Sequence, residues 1–183
     1  IEIIKSYRTL FWISILLNLM NSKSFSLKLN HKINSYKKSI KVDSDKSLSI
    51  RSFLIASICQ NISYTKNVLE SEDVLSAISS LRKLGVKIDK VNPKSYKIYG
   101  KGLGSLFIKK NSELNFGNSG TLARLLIGIL STTPDIEVKI KGDHSLNKRS
   151  MKKLIELMSK FGAEFLPKKK FNFPLKLIST EMP

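Results

Sequence analysis

One cysteine in 183 residues excludes a disulfide framework and any cysteine-built zinc site. That residue, Cys59, falls in an apolar stretch with helical spacing and is expected to be a small core residue. Histidine is almost as scarce: His31 and His144 are the only two, and neither has neighbours suited to a metal site or a serine–histidine pair. Long apolar runs are missing as well. Leu10 to Met20 is too short to span a bilayer, and no small-residue cleavage site follows it, so neither a membrane anchor nor a signal peptide is expected. Acidic residues are few, 14 against 32 Lys and Arg, which gives a formal charge of +18. Such a balance suits nucleic acid, an anionic membrane or an enzyme of anionic substrates, and the codon bias of an AT-rich genome also produces it. The lysines are scattered, apart from short runs such as Lys168-Lys169-Lys170, without a stripe of interleaved aromatics. No nucleic-acid or membrane partner is therefore expected.

What the chain does have is Gly117-Asn118-Ser119-Gly120-Thr121-Leu122-Ala123-Arg124, leading into the apolar run Leu125 to Leu130. Glycines and small polar residues let backbone approach a ligand, and the helix that follows turns its free N–H groups toward the same loop. Ser119 or Thr121 can cap that helix. Arg124 is placed in its first turn, where the macrodipole disfavours a cation. An anion between the two resolves the conflict, so the stretch reads as a phosphate or carboxylate site.

The same oddity recurs twice. Asp45-Lys46-Ser47-Leu48-Ser49-Ile50-Arg51 opens a helical stretch to about Cys59, with Ser47 and Arg51 on one face. Gly142-Asp143-His144-Ser145-Leu146-Asn147-Lys148-Arg149 precedes a helix marked by Met151, Leu154, Ile155, Met158 and Phe161, and Arg149 is again read as a cation at a helix start. Between them, Ser71 caps a helix with Glu72 and Asp73 in its first turn, a buried stripe of Val74, Ala77, Ile78, Leu81 and Leu84, and a stop at Gly85. Strands are expected at Ser24–Leu29, Ser39–Val42, Val86–Ile88, Tyr96–Tyr99 and Ile136–Ile140. Arg51 aligns with Arg124, and the segment from Ile78 to Gly85 aligns with that from Ile155 to Gly162. One supersecondary unit is thus repeated. The expected organisation is an upstream segment at 1–19, N-terminal strands at 20–42, a first unit at 43–108 and an incomplete second unit at 109–183. The start at Ile1 and the stop inside a unit read as a fragment.

These segments resemble the 5-enolpyruvylshikimate-3-phosphate synthase family. Asp45 to Arg51 is similar to its Asp-Lys-Ser-Ile-Ser-His-Arg signature, and Gly117 to Arg124 to its Gly-Asn-Ser/Ala-Gly-Thr…Arg. Gly142 to Arg149 resembles Gly-Asp-x-Ser-Leu-x-x-Arg, and Leu69 to Asp73 fits Leu-x-Ser-x-Asp. The resemblance covers about residues 38–182. It implies an α+β enolpyruvyl transferase-like fold of βαβαββ-type units, helices inside and sheets outside, with the chain covering much of one of two domains. It further implies transfer of the enolpyruvyl group of phosphoenolpyruvate to the 5-hydroxyl of shikimate 3-phosphate, without metal or cofactor. The lack of a signal peptide points to the cytoplasm, and a monomer is expected.

By resemblance, Lys46, Ser47 and Arg51 bind shikimate 3-phosphate, while Lys46, Gly120 and Arg149 bind phosphoenolpyruvate. Asn118 and Arg124 support that site, and the acid–base pair belongs to the other half of the protein. The sequence departs from the pattern at Asp43, Ser44, Ile50 and Ser150, none of them a named ligand. Two readings compete: the sister UDP-N-acetylglucosamine enolpyruvyl transferase, usually marked by Lys-Asn where this chain has Lys46-Ser47, and a non-catalytic anion-binding remnant.

Overall fold

The computed structural model describes Lys28 and residues 42–180. The apolar run Leu10–Met20 and His31 lie outside the described residues, as do the first two expected strands apart from Lys28 and Val42.

The first part of the fold is helix α1 (Lys46–Ile58), strand β1 (Ile62–Lys66), helix α2 (Glu72–Lys83) and strands β2 (Lys87–Asn92) and β3 (Ser95–Tyr99). Its three strands form a sheet in the order β1-β3-β2, both pairings antiparallel. The second part is β4 (Ser112–Asn115), α3 (Gly120–Ser131), β5 (Glu137–Lys141), the short α4 (His144–Lys148), α5 (Lys152–Lys160), β6 (Glu164–Leu166) and β7 (Leu175–Ile178). Here the order is β4-β5-β7-β6, with β4 and β5 parallel and β7 antiparallel to both its neighbours. The segment β5-α5-β6-β7 thus repeats β1-α2-β2-β3 in topology, and α3 stands to β5 as α1 to β1.

The repeat extends to how its helices stop. Past α2, Gly85 takes φ +84°, its N–H donates to Arg82 O and the Val86 N–H to Leu81 O. Past α5, Gly162 takes φ +96°, its N–H donates to Ser159 O and the Ala163 N–H to Met158 O. Both are Schellman closures, in which a left-handed residue satisfies the last orphan carbonyls.

The alternation of apolar and polar residues in the strands sets which sheet face is buried. Ile88, Tyr96 and Ile98 of the first sheet are buried, as are Val138, Ile140, Leu175 and Leu177 of the second. Helices α1 and α3 add Ile50, Phe53, Leu54, Leu122, Leu126, Ile127 and Leu130 to the same core. Phe53 is fully buried and meets Tyr96 edge-on, with centroids 5.3 Å apart. Burial of a side chain that size contributes about 1.5–3 kcal/mol.

Several expectations need correction. Cys59 is exposed, because it caps the C-terminal end of α1 instead of lying along its buried side. Phe161 likewise falls at the C-terminal end of α5 and is exposed. Ser71 occupies the N-cap position of α2, yet its buried hydroxyl makes no capping bond. The expected α2 stripe is buried at all five positions.

Candidate functional site

Three helices are opened by side chains that accept the N–H three residues ahead. Asp45 Oδ1 accepts from Leu48 N at 2.7 Å in α1, Ser119 Oγ from Leu122 N at 3.2 Å in α3, and Asp143 Oδ1 from Leu146 N at 2.7 Å in α4. Each cap fixes where its helix starts and therefore where the cation beside it stands. Of the two residues expected to cap α3, Ser119 does so.

The loops after the parallel strands β4 and β5 lie side by side. The Phe116 N–H donates to Lys141 O and the Asp143 N–H to Gly117 O, at 2.9 and 2.8 Å, which carries the β4–β5 pairing past the strand ends. Gly117, at φ +55°, makes the turn, and its N–H is held by Asn115 Oδ1. The Asn147 amide oxygen accepts from the Gly142 N–H, closing the second loop. Arg149, at the end of that loop, then reaches back across it: Arg149 Nη2 lies 2.8 Å from Asn118 Oδ1 and 3.4 Å from Ser145 Oγ.

These connections shape one pocket of about 250 Å³, lined by Lys46, Asp73, Asn118, Gly120, Thr121, Arg124 and Arg149. Lys46 is the first residue of α1, Asp73 the second of α2, and Gly120 and Thr121 the first two of α3. Three helix N-termini therefore border one small space, along with two guanidinium groups and an ammonium. Their orphan N–H groups and dipoles favour an anion, and the arginines supply planar forks for carboxylate or phosphate. Lys46 Nζ is 2.8 Å from Asp73 Oδ2, so one acid offsets part of that charge. A Cβ on Gly120 would stand 3.0 Å from Arg124 Nη1 and 3.2 Å from Arg149 Nη1. The bare Cα lets both guanidiniums lie against the helix start.

Five of the seven expected site residues, Lys46, Asn118, Gly120, Arg124 and Arg149, are brought together here. The other two are not in its lining. Ser47 is half-buried beside Lys46, and Arg51 borders a separate apolar groove between α1 and α3 with Leu54, Ile55 and Leu125. Two placements differ from the sequence reading. Arg124 is the fifth residue of α3, so it starts the second turn and folds back, with Nη1 3.3 Å from Gly120 O. Arg149 caps the C-terminal end of a short helix that the sequence reading did not include, α4, opened by Asp143, and the expected helix follows it as α5 from Lys152. A cation is favoured there by the dipole. Asp73 was missed as a site residue. The sequence accounts for it as an acid in the first turn of α2 and as the last position of the Leu69–Asp73 match, and only the tertiary approach of α2 to α1 reveals Lys46 beside it.

Among the described residues, no group of three or more His, Cys, Asp or Glu is placed to hold a metal, and no helix is long and apolar enough to cross a membrane.

The chain is similar to known proteins of one family. The family model for EPSP synthase (3-phosphoshikimate 1-carboxyvinyltransferase) matches residues 31–181. The 3-phosphoshikimate 1-carboxyvinyltransferase of Syntrophomonas wolfei is 37% identical over 147 residues, which is 80% of this chain and 34% of that protein. That of Leptospira interrogans is 40% identical over 127 residues, 69% of this chain and 29% of the relative. Among solved structures, an EPSP synthase from Acinetobacter baumannii superposes with a TM-score of 0.70 at 32% identity, over 77% of this chain and 32% of that one. The chain spans about a third of the length of the relatives it matches.

Proposed function

The chain belongs to the EPSP synthase family and has its α+β enolpyruvyl transferase fold, and we propose that the protein it represents transfers the enolpyruvyl group of phosphoenolpyruvate to the 5-hydroxyl of shikimate 3-phosphate. The observation that carries this reading is the pocket in which Lys46, Arg124 and Arg149 meet the first turns of three helices. Both substrates are polyanions, and a preorganised set of cations and N–H groups binds them without reorganising as charge moves.

In this reading Arg149, held by Asn118, binds the carboxylate or phosphate of phosphoenolpyruvate. Gly120 lets that substrate approach the start of α3, and Arg124 supports the same end. Lys46 lies between the two substrates, and Ser47 and Arg51, further along α1, take the phosphate of shikimate 3-phosphate. The 5-hydroxyl oxygen adds to C2 of phosphoenolpyruvate while C3 gains a proton, giving a tetrahedral intermediate. Loss of phosphate and of a C3 proton then restores the double bond. Asp73, the one carboxylate in the pocket lining, is engaged by Lys46, so the proton-transfer pair is assigned to the remainder of the relatives' length. The enzyme is taken to act in the cytoplasm as a monomer, without metal or organic cofactor.

The test is steady-state kinetics of the full-length protein. Arg149→Ala and Lys46→Ala are expected to lower kcat/KM about 100-fold or more, as loss of a charge-assisted contact to the reacting group does. Arg51→Ala is expected to raise KM for shikimate 3-phosphate alone. Parent-like kinetics in Arg149→Ala would overturn the assignment.

A further inference from the structure

The β6–β7 connection carries Lys168-Lys169-Lys170, a run that the pocket described above does not use. On one side of it lies a cleft of about 480 Å³ whose floor is Ile155, Ala163, Phe165 and Phe171, with Lys160 and Glu156 at its edge. On the other side, a second hollow of about 500 Å³ is bordered by Lys148, Ser150 and Asn172. Lys168 to Phe171 line both, so the two are lobes of one cleft. None of its lining residues is shared with the Lys46–Arg149 pocket.

The turn is held in place by its backbone. The Lys170 N–H donates to Pro167 O, Lys169 takes φ +66°, the Lys170 ammonium donates to Pro174 O at 2.9 Å, and the Met151 N–H donates to Phe171 O at 2.7 Å. Phe171 is thereby presented between the lobes, with Lys152 Nζ 5.6 Å from its ring centroid. Lys148, Lys160, Lys168 and Lys169 are without a carboxylate partner among the described residues. Of the two acids in the lining, Glu156 and Glu164, the first faces Lys152 at 3.8 Å. The lysines therefore leave a positive rim over an apolar floor.

An apolar floor accepts a flat hydrophobic body, and several unpaired ammonium groups at one rim suit a multiply charged anion. A cleft in this size range holds a ligand of nucleotide dimensions. A small inorganic anion would leave the Ile155–Phe165–Phe171 surface uncovered, and an uncharged aromatic would leave the lysines unused. We propose that the lysine-rimmed cleft behind α5 is a second ligand site, which takes a nucleoside polyphosphate with its base on the apolar floor and its phosphates on Lys148, Lys168 and Lys169.

The test is equilibrium binding to the full chain, free of divalent metal, with ATP and with inorganic tripolyphosphate. ATP is expected to bind at least tenfold more tightly than tripolyphosphate. Lys168→Ala with Lys169→Ala is expected to weaken ATP at least tenfold, and Phe171→Ala to weaken ATP while leaving tripolyphosphate unchanged. Because the cleft shares no lining residue with the first pocket, Arg149→Ala is expected to leave ATP binding as it was, which separates failure of this site from failure of the proposed enzymatic one. Equal affinity for the two probes, or ATP binding lost in Arg149→Ala and kept in the lysine double variant, would overturn it. Circular dichroism of each variant checks that the fold persists, and Lys168→Arg with Lys169→Arg should retain ATP binding.

Discussion

The Lys46 ammonium lies 2.8 Å from Asp73 Oδ2 and ties the first turn of α1 to the first turn of α2 at the mouth of the anion pocket. The Asp73 side chain is only 15% exposed and the lysine 48%, so the acid is the fixed partner and the cation the adjustable one. Asp73→Asn takes the pocket from a net two positive charges to three. Removing an acid from a helix N-terminus costs about 0.3–1 kcal/mol of stability. Affinity for inorganic phosphate, measured by calorimetry, is expected to rise about threefold, the scale of one partly exposed charge. A fall in affinity would mean instead that Lys46 depends on Asp73 to point into the pocket.

Gly120 offers a separate probe of the same space. An added methyl group would press on Arg124 Nη1 and Arg149 Nη1, both at the ends of long side chains that can swing aside. Gly120→Ala is therefore expected to leave Tm within about 2 °C of the parent. The displaced guanidiniums no longer present the same fork, and affinity for phosphoenolpyruvate is expected to drop roughly tenfold, as loss of a charge-assisted bond would give. Equal affinity in the two proteins would show that the arginines bind from positions other than those they hold against Gly120.

What the sequence made legible was local. The α2 stripe from Val74 to Leu84 and the stops at Gly85 and Gly162 follow from a 3.6-residue period and from glycine at left-handed φ, so they could be read without a fold. The offset alignment of Arg51 with Arg124 and of Ile78–Gly85 with Ile155–Gly162 exposed the repeat, and the resemblance of three motifs to the family pointed to five of the residues that meet in the pocket. What stayed hidden depends on tertiary approach or on one residue of phase. Asp73 meets Lys46 across 27 positions of chain, Cys59 misses the core because α1 ends one residue before it, and Arg149 closes α4 because Asp143 opens a helix of only five residues.

Away from the pocket, Glu70 ties the α1–α2 side to the β2–β3 hairpin. Its carboxylate accepts from Lys90 Nζ, from the Tyr96 hydroxyl at 2.7 Å and from the Lys94 N–H at 3.2 Å. The Lys90 bond, then the Tyr96 bond, holds the Glu70 pKa below its ordinary 4.5. Burial, with the Glu70 contact added, pushes Tyr96 up to about 12. Since folding lowers the Glu70 pKa, the unfolded chain takes up the proton first. The stabilisation is complete above the unfolded value and is lost as pH falls through the folded one. Thermal melts of the parent and of Glu70→Gln are expected to differ at pH 7 and to converge as pH falls through the folded pKa of Glu70, which lies under 4.5. A gap of the same size at every pH, with no narrowing in acid, would assign the effect to packing of Tyr96.

Two glycines should respond to the same substitution with opposite signs. Gly100 sits against the last turn of α1, where a Cβ would lie 2.6 Å from Ala56 O and closer still to Cys59 O. The contact is with backbone, and it cannot yield without opening the bonds from the Lys101 N–H to Ser57 O and from the Gly102 N–H to Cys59 O, both 2.9 Å. Those bonds satisfy carbonyls that the end of a helix leaves free. Gly100→Ala is expected to cost about 3 kcal/mol or more. Gly128, in the middle of α3, has nothing within 4 Å of the place a methyl group would take, and alanine there restricts the unfolded chain at no steric cost. Gly128→Ala is expected to stabilise by about 0.5–1 kcal/mol. Chemical denaturation of both variants checks the pair, and a neutral Gly100→Ala would mean that the β3 exit does not hold α1 in place.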